Sequence, residues 1–185
     1  MSLPELTRTS SRQGHNQAAA PLERNIFIVS AGAERLALPV ECVNTIFRIS
    51  RITPVPGGPR EVVGLANLRG KIVTVVSLRR RLGMAHELDA GPALAIGIEH
   101  LGESIALLVD EVGDVVSVAE SDRIPAPPHL AATRLGVTSA VYGFERGILS
   151  VLDMAALFRF SGANAAPSPL HSPAAPVSPR QGAQK

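Results

Sequence analysis

The stretch NLRGKIVTVVSLRRRLG, residues 67–83, contains the strongest structural pattern in this chain. Its β-branched run at 71–77 predicts a strand, and Arg69-Gly70 supplies a turn directly before it. Ser77 ends the run, and its hydroxyl can accept a hydrogen bond from the free N–H groups that begin a helix. The stretch therefore predicts a turn, a strand and a short capped helix.

A similar stretch returns later in the chain. Arg146-Gly147 precedes the apolar run ILSVL at 148–152, and Asp153 stands where Ser77 stands in the first stretch. Asp and Ser both cap helices, so the second stretch also predicts a strand followed by a helical turn. The repeat indicates two similar small barrels.

Short strand-like runs separated by Gly and Pro fill most of the remaining chain, and they predict an all-β fold with few helices. Residues 40–47 are predicted instead as one or two helical turns, because Val40, Val43 and Phe47 recur at helical spacing. The other predicted strands are 25–30, 35–39, 49–56, 93–100, 103–112, 115–120 and 137–144.

The two ends of the chain differ in composition from its middle. Residues 1–22 are polar and Ala-rich, and residues 162–185 are rich in Pro, Ala and Ser. Such segments bury too little apolar surface to offset the entropy of ordering, so both are predicted to be flexible. Residues 23–161 are predicted to form one domain. No signal peptide is visible, and no apolar run approaches the roughly 18 residues of a membrane span.

The basic character of the chain is concentrated in its ends. The isoelectric point is about 9.2, but residues 22–160 hold 14 Arg and Lys against 15 Asp and Glu, a net charge of −1. The triplet at 79–81 is interpreted as a solvated face, since it has no interleaved aromatics for stacking on bases. A nucleic-acid-binding barrel that uses this triplet and the basic ends is therefore the weaker alternative.

No catalytic motif, metal site or cofactor site is recognisable. The five histidines lack metal-ligand spacing, and the single cysteine, Cys42, is interpreted as a buried apolar residue. Asp110, Glu111 and Asp114 are interpreted as polar strand ends rather than catalytic carboxylates. A small β-rich enzyme without a known motif stays open as another alternative.

Three motifs resemble the CheW-like domain family, which includes the adaptors of bacterial chemosensory arrays. They are ITPVP at 52–56, G-x-x-NLRG at 64–70 and IALLVDEV at 105–112. The resemblance implies two SH3-like five-stranded barrels around a shared core. It also implies a non-enzymatic, cytoplasmic adaptor without cofactor or metal, held at membrane-associated arrays only through its partners. Those partners would be a CheA-type histidine kinase and the tip of methyl-accepting chemoreceptors, with no nucleic acid and no direct membrane insertion.

The chain departs from the family pattern at three positions. Thr45 stands at the usual glutamate, which leaves Arg69 without its natural acidic partner, and we expect Glu41 to replace that acid one helical turn earlier. Thr74 stands at a frequent proline and Ser77 at a frequent aspartate, and both changes are compatible with the fold.

The resemblance also implies a surface for the kinase's regulatory domain and a groove between the barrels for the receptor. Arg69 could instead have a structural role, and Asn67 could form the turn. Gly64 and Gly70 could be needed for backbone conformations that favour glycine. The departures keep an alternative open, namely a diverged scaffold that binds another regulator or competes for array sites without coupling the kinase. The kinase surface is expected near Thr45, Ile46, Gly64 and Arg69. The predicted partner-binding residues are Thr45, Ile46, Gly64, Asn67, Arg69 and Gly70.

Overall fold

The computed structural model describes residues 23–84, 91–128, 130, 132–144 and 147–160. The predictions made for the two ends of the chain, for Arg146 and for four of the histidines lie outside the described residues. Those histidines are His15, His86, His129 and His171.

Eleven strands and three short α-helices make up the described part of the chain. The strands are β1 (Glu23–Ala31), β2 (Glu34–Pro39), β3 (Thr45–Ile49), β4 (Val62–Leu68), β5 (Lys71–Ser77), β6 (Ala93–His100), β7 (Glu103–Leu108), β8 (Glu111–Ala119), β9 (Arg123–Ile124), β10 (Thr138–Phe144) and β11 (Gly147–Leu152). The helices are α1 (Leu78–Arg81), α2 (Ala132–Leu135) and α3 (Met154–Leu157).

The strands form two sheets with the same internal plan. Sheet A has the order β8-β1-β2-β11-β10-β9, and sheet B has the order β3-β6-β7-β5-β4. In each sheet two antiparallel hairpins meet through one parallel pair, which is β2 with β11 in sheet A and β5 with β7 in sheet B. The repeat seen in the sequence is thus a repeat of topology, with β5-α1 matching β11-α3.

Sheet B curls so that its two end strands approach each other. Thr53, just after β3, and Leu65, on β4, exchange two backbone hydrogen bonds of 2.8 Å each. Gly64 makes this approach possible, because a Cβ at that position would lie 2.2 Å from the Thr53 carbonyl oxygen. The absence of a side chain at Gly64 therefore allows the barrel to close.

Each sheet encloses a small core, and a larger core lies between the sheets. The shared core includes Val29 and Leu38 from sheet A, Val76 and Leu107 from sheet B, and Leu157 from α3, all fully buried. The predicted fold, two small barrels around a shared core, is confirmed. Sheet A has a sixth strand beyond the expected five, the two-residue β9.

Both predicted helix caps are present. The Ser77 hydroxyl accepts from the Arg80 N–H at 3.3 Å, and the Asp153 carboxylate accepts from the Ala156 N–H at 3.0 Å. Each cap fixes the point at which the chain leaves a central strand and turns over the shared core.

Four local predictions need correction. The predicted strand 49–56 is absent, because β3 ends at Ile49 and of residues 50–56 only Thr53 pairs, in an isolated bridge. Residues 40–47 contain a single 3-10 turn, Val40–Cys42, and the chain is already extended at Thr45, because β3 gains a full ladder with β6. The predicted strand 103–112 is divided at 109–110, where the chain passes from sheet B to sheet A. Cys42 is half-buried rather than buried, because it lies in that exposed 3-10 turn.

Candidate partner surface

The Arg69-Gly70 turn is a tight hairpin that joins β4 to β5. Leu68 pairs with Lys71 around it, and both turn residues have positive φ, 52° and 87°. These angles are those of a type I′ turn, whose twist suits a two-residue hairpin. The Asn67 side-chain oxygen accepts the Gly70 N–H at 2.8 Å, so Asn67 is a turn former. The turn holds the Arg69 side chain out in solvent.

Thr45 and Ile46 lie at the start of β3, on the opposite end strand of sheet B. They pair with Gly97 and Ile96 of β6, and Ile46 is 44% exposed. A Cβ at Gly97 would lie 2.7 Å from the Thr45 methyl, so this glycine provides the space that the threonine side chain occupies. Two predicted partner residues thus stand exposed on a rigid strand.

Gly64 differs from the other predicted residues because it is buried. Because it lies against the Thr53 carbonyl, Gly64 determines the shape of the surface without being exposed on it. The five remaining predicted residues, Thr45, Ile46, Asn67, Arg69 and Gly70, are exposed.

A groove of about 560 Å³ lies where β3 and β4 approach each other. Phe47, Leu65 and Ile72 contribute apolar walls, and Ile72 is 64% exposed. Arg48 and Arg51 line the same groove, and both are exposed. Of the six predicted residues only Asn67 lines it. The two arginines could not be predicted to share a site, because residues three apart lie on opposite faces of a strand and only the fold brings both to this groove.

Glu41 and Arg69 are not brought together. None of the ion pairs between described residues joins them. Both side chains are exposed. Compensation for the lost acid by Glu41 stays a prediction.

The arginine triplet at 79–81 lies in contacts within the fold. Arg79 forms an ion pair of 2.8 Å with Asp110, and Arg80 donates to the Arg60 carbonyl at 3.4 Å. Arg81 donates to the carbonyls of Leu157 and Ala156, both at 2.7 Å. The triplet therefore contacts other parts of the fold and is not the freely solvated face that the sequence suggested.

Cys42 is the single cysteine of the chain and lies among the described residues. Burial, and then the neighbouring Glu41 carboxylate, raise the pKa of the Cys42 thiol, so the thiolate nucleophile is disfavoured. Within these residues no cluster of three or more His, Cys, Asp and Glu could hold a metal ion. No helix among them has the length and apolar character to cross a bilayer.

The fold thus consists of two repeated barrels, a shared core and an exposed surface where sheet B closes. The sequence model of the CheW-like domain family matches residues 25–161. The chain belongs to the CheW-like domain family. It is a CheW-like adaptor of chemotaxis signalling.

Proteins named CheW from different organisms are similar to this CheW-like chain. It is 24% identical over 135 residues to "Chemotaxis protein CheW" of Rhizobium meliloti, and the aligned residues cover 73% of this chain and 87% of that protein. It is 29% identical over 131 residues to "Chemotaxis protein CheW" of Bacillus subtilis, covering 71% and 83%. The crystal structure of the scaffolding protein TtCheW from Thermoanaerobacter tengcongensis superimposes with a TM-score of 0.66 at 26% identity, covering 77% and 96%.

A second groove, of about 390 Å³, lies on sheet A of this CheW-like fold. Phe144 and Ile148 line it and are 41% and 39% exposed. By the internal repeat Ile148 matches Ile72, since each stands one pair beyond a hairpin turn on the second strand. The two barrels thus carry apolar grooves at matching places, and arginines line both, Arg35 on sheet A and Arg48 and Arg51 on sheet B.

Proposed function

We propose that this CheW-like chain couples methyl-accepting chemoreceptors to a CheA-type histidine kinase, without catalytic activity of its own. It would act in the cytoplasm, at membrane-associated receptor arrays that it reaches only through its partners. The observation that carries the proposal is the exposed surface at the closure of sheet B, where a type I′ turn and a barrel end strand hold five of the six predicted partner residues in solvent. A surface that is formed before binding lowers the entropy cost of binding.

The kinase's regulatory domain would meet the surface formed by Thr45, Ile46, Asn67, Arg69 and Gly70, with Gly64 shaping it from below. The tip of the receptor would meet a groove between the two sheets. In this arrangement the adaptor positions the kinase so that receptor signals bias its activity.

One observation favours a second candidate function. Thr45 replaces the family's usual glutamate, and Arg69 is exposed and joined to no described acid. A surface with altered charge fits a diverged scaffold that binds a different regulator, or that occupies array sites without coupling the kinase.

Co-sedimentation of the full chain with receptor cytoplasmic fragments and the chemotaxis kinase of the same organism, together with kinase autophosphorylation, tests the proposal. We expect three-component complexes and altered kinase activity. Arg69→Ala should weaken kinase recruitment about tenfold, the size of a contact worth ~1.4 kcal/mol. Arg24→Ala, an exposed arginine on sheet A, is the matched control and should leave recruitment unchanged.

Three results would count against coupling in different ways. Sedimentation with receptors but not with the kinase would favour the diverged scaffold. Sedimentation with neither would overturn both candidate functions. Equal losses for Arg69→Ala and Arg24→Ala would remove Arg69 from the partner surface.

A further inference from the structure

We propose that residues 3–6 of this chain, LPEL, dock into the groove on sheet A, where Leu3 and Leu6 cover its apolar walls and Glu5 pairs with Arg35. The contact lies within one chain, so the inference does not rest on the proposed coupling role. It goes beyond that role because it gives the groove on sheet A an occupant of its own.

The groove on sheet A opens onto the small core of that sheet. Ile28 and Leu149 belong to this core and line the groove, and the half-buried Val116 packs against them. Phe144 and Ile148 line the same groove and remain partly in solvent. Its volume of about 390 Å³ is enough for a few side chains. Apolar side chains placed there would remove these residues from water, which favours an apolar occupant.

The groove lies where sheet A is not joined in the way that sheet B is. In sheet B the bridge between Thr53 and Leu65 links the two end strands. In sheet A, β8 pairs with β1, whereas β10 pairs with β9 and β11, and no bridge links β8 to β10 between the residues that the structure describes. The groove has Val116 of β8 on one side and Phe144 of β10 on the other. Unpaired strand edges beside an apolar groove can receive a further segment.

Arg35 gives this groove a positive charge. It lines the groove, is exposed, and takes part in none of the ion pairs between described residues. Glu5 is the single acid in residues 1–22, whereas residues 161–185 contain no Asp or Glu. A carboxylate is the group that a guanidinium pairs with best. Charge therefore favours the segment around Glu5 over the other end of the chain.

The spacing of Leu3 and Leu6 suits the apolar walls. Leu3 precedes Pro4, and the residue before a proline favours extended or polyproline II conformations. A polyproline II segment repeats every three residues, so Leu3 and Leu6 would face the same side and Glu5 another. Two apolar side chains beside one carboxylate match a groove with apolar walls and one arginine.

The described chain begins near the groove. Glu23 pairs with Ala119 of β8, three residues from Val116, which is about 10 Å along the strand. Sixteen residues lie between Leu6 and Glu23, and an unfolded chain of that length spans about 22 Å. The linkage is therefore long enough to place LPEL in the groove, and short enough to keep it at a high effective concentration there.

Paramagnetic relaxation enhancement in NMR spectra of the full chain tests the contact. A nitroxide is attached to Ser2→Cys in a Cys42→Ser background, which leaves one cysteine to label. The broadening of the Phe144 and Ile148 amide signals is then compared among variants. Circular dichroism and thermal unfolding verify that each variant folds.

We expect Leu3→Asp/Leu6→Asp to reduce this broadening about tenfold, because it places two carboxylates against apolar walls. Thr9→Asp/Ser11→Asp adds the same charge to the same segment outside LPEL, so it is the matched control. Its broadening should stay within about twofold of that of the natural segment.

The ion pair is tested by charge reversal. Arg35→Glu should reduce the broadening about fivefold, since an exposed pair contributes little and its reversal adds repulsion. Glu5→Arg/Arg35→Glu restores opposite charges and should recover most of the broadening.

Equal broadening for the natural segment and Leu3→Asp/Leu6→Asp would overturn the inference, because a segment that is merely tethered nearby would give both signals. Loss in Arg35→Glu without recovery in Glu5→Arg/Arg35→Glu would overturn the assignment of Glu5 to Arg35. A mixture of nitroxide-labelled chain and isotope-enriched chain without the label adds a third outcome. Broadening in that mixture would place the segment on a second copy and overturn the contact within one chain. No sample contains the kinase, so the coupling role is tested separately.

Discussion

At the scale of the residue, Gly64 decides whether sheet B can close. It is buried, and the Thr53 carbonyl oxygen occupies the position where any side chain would begin. In the sequence, this glycine, three residues before Asn67, is recognisable only as the first residue of the G-x-x-NLRG motif. The need for a glycine comes from the backbone of Thr53, eleven residues earlier, which bridges to Leu65.

Gly64→Ala should lower the free energy of unfolding by about 3 kcal/mol, because the added methyl must push two hydrogen-bonded strands apart. Urea denaturation monitored by circular dichroism measures the change. Gly91→Ala is the control: a Cβ at Gly91 meets nothing within 4 Å, so its stability should stay within about 0.5 kcal/mol of the natural chain. Similar losses for the two variants would contradict a specific steric role for Gly64.

At the scale of the element, two single-turn helices are held by contacts that a helix of this length cannot supply alone. α1 and α3 have four residues each, far below the length at which isolated helices are stable. Ser77 and Asp153 satisfy their first N–H groups. Arg81, at the end of α1, donates to three carbonyls at 156–159, which lie at the end of α3. One helix therefore caps the other across the shared core.

Arg81→Ala should reduce the free energy of unfolding by about 2 kcal/mol, since it leaves several carbonyls without their charged donor. Arg81→Lys should recover only part of that loss, because an ammonium cannot reproduce the planar fork. Thermal and urea unfolding measure both variants, and Arg24→Ala serves as a surface control. Full recovery by lysine would show that charge alone, rather than the fork, holds the two helices together.

At the scale of the whole molecule, the chain builds part of sheet A, then all of sheet B, and returns to finish sheet A. Asp110 lies at the return, between β7 and β8. Its carboxylate accepts from the Arg79 guanidinium at 2.8 Å and from the Gly32 N–H, and its own N–H donates to the Ser30 carbonyl at 3.0 Å. One residue thus links α1, the helix that follows β5 of sheet B, to the first hairpin of sheet A.

Asp110→Ala should cost about 1.5 kcal/mol and Arg79→Ala about 0.5 kcal/mol, because only the first change also removes the acceptor of Gly32. The Arg79 side chain is 36% exposed, so solvent screens the ion pair and the double-mutant coupling should be about 0.5 kcal/mol. Chemical denaturation of the two single variants and the double variant gives these values. Equal costs for the single variants would mean that the Gly32 contact contributes nothing to stability.

The sequence by itself determined the features that depend on neighbours in the chain. Hairpin turns, β-branched strands and the caps at Ser77 and Asp153 act within a few residues, so pattern and side-chain chemistry predicted them, as did the all-β class and the repeat. The resemblance added the family, which the match over 25–161 shows.

Only the tertiary structure decided what depends on residues distant in sequence. Thr45 became part of a strand through its ladder with β6, and Arg81 became a clamp on residues 75 or more positions away. The groove with Arg48 and Arg51 likewise exists only because two end strands of sheet B meet. Local interactions select each element, whereas long-range strand pairing and burial decide which side chains share a surface.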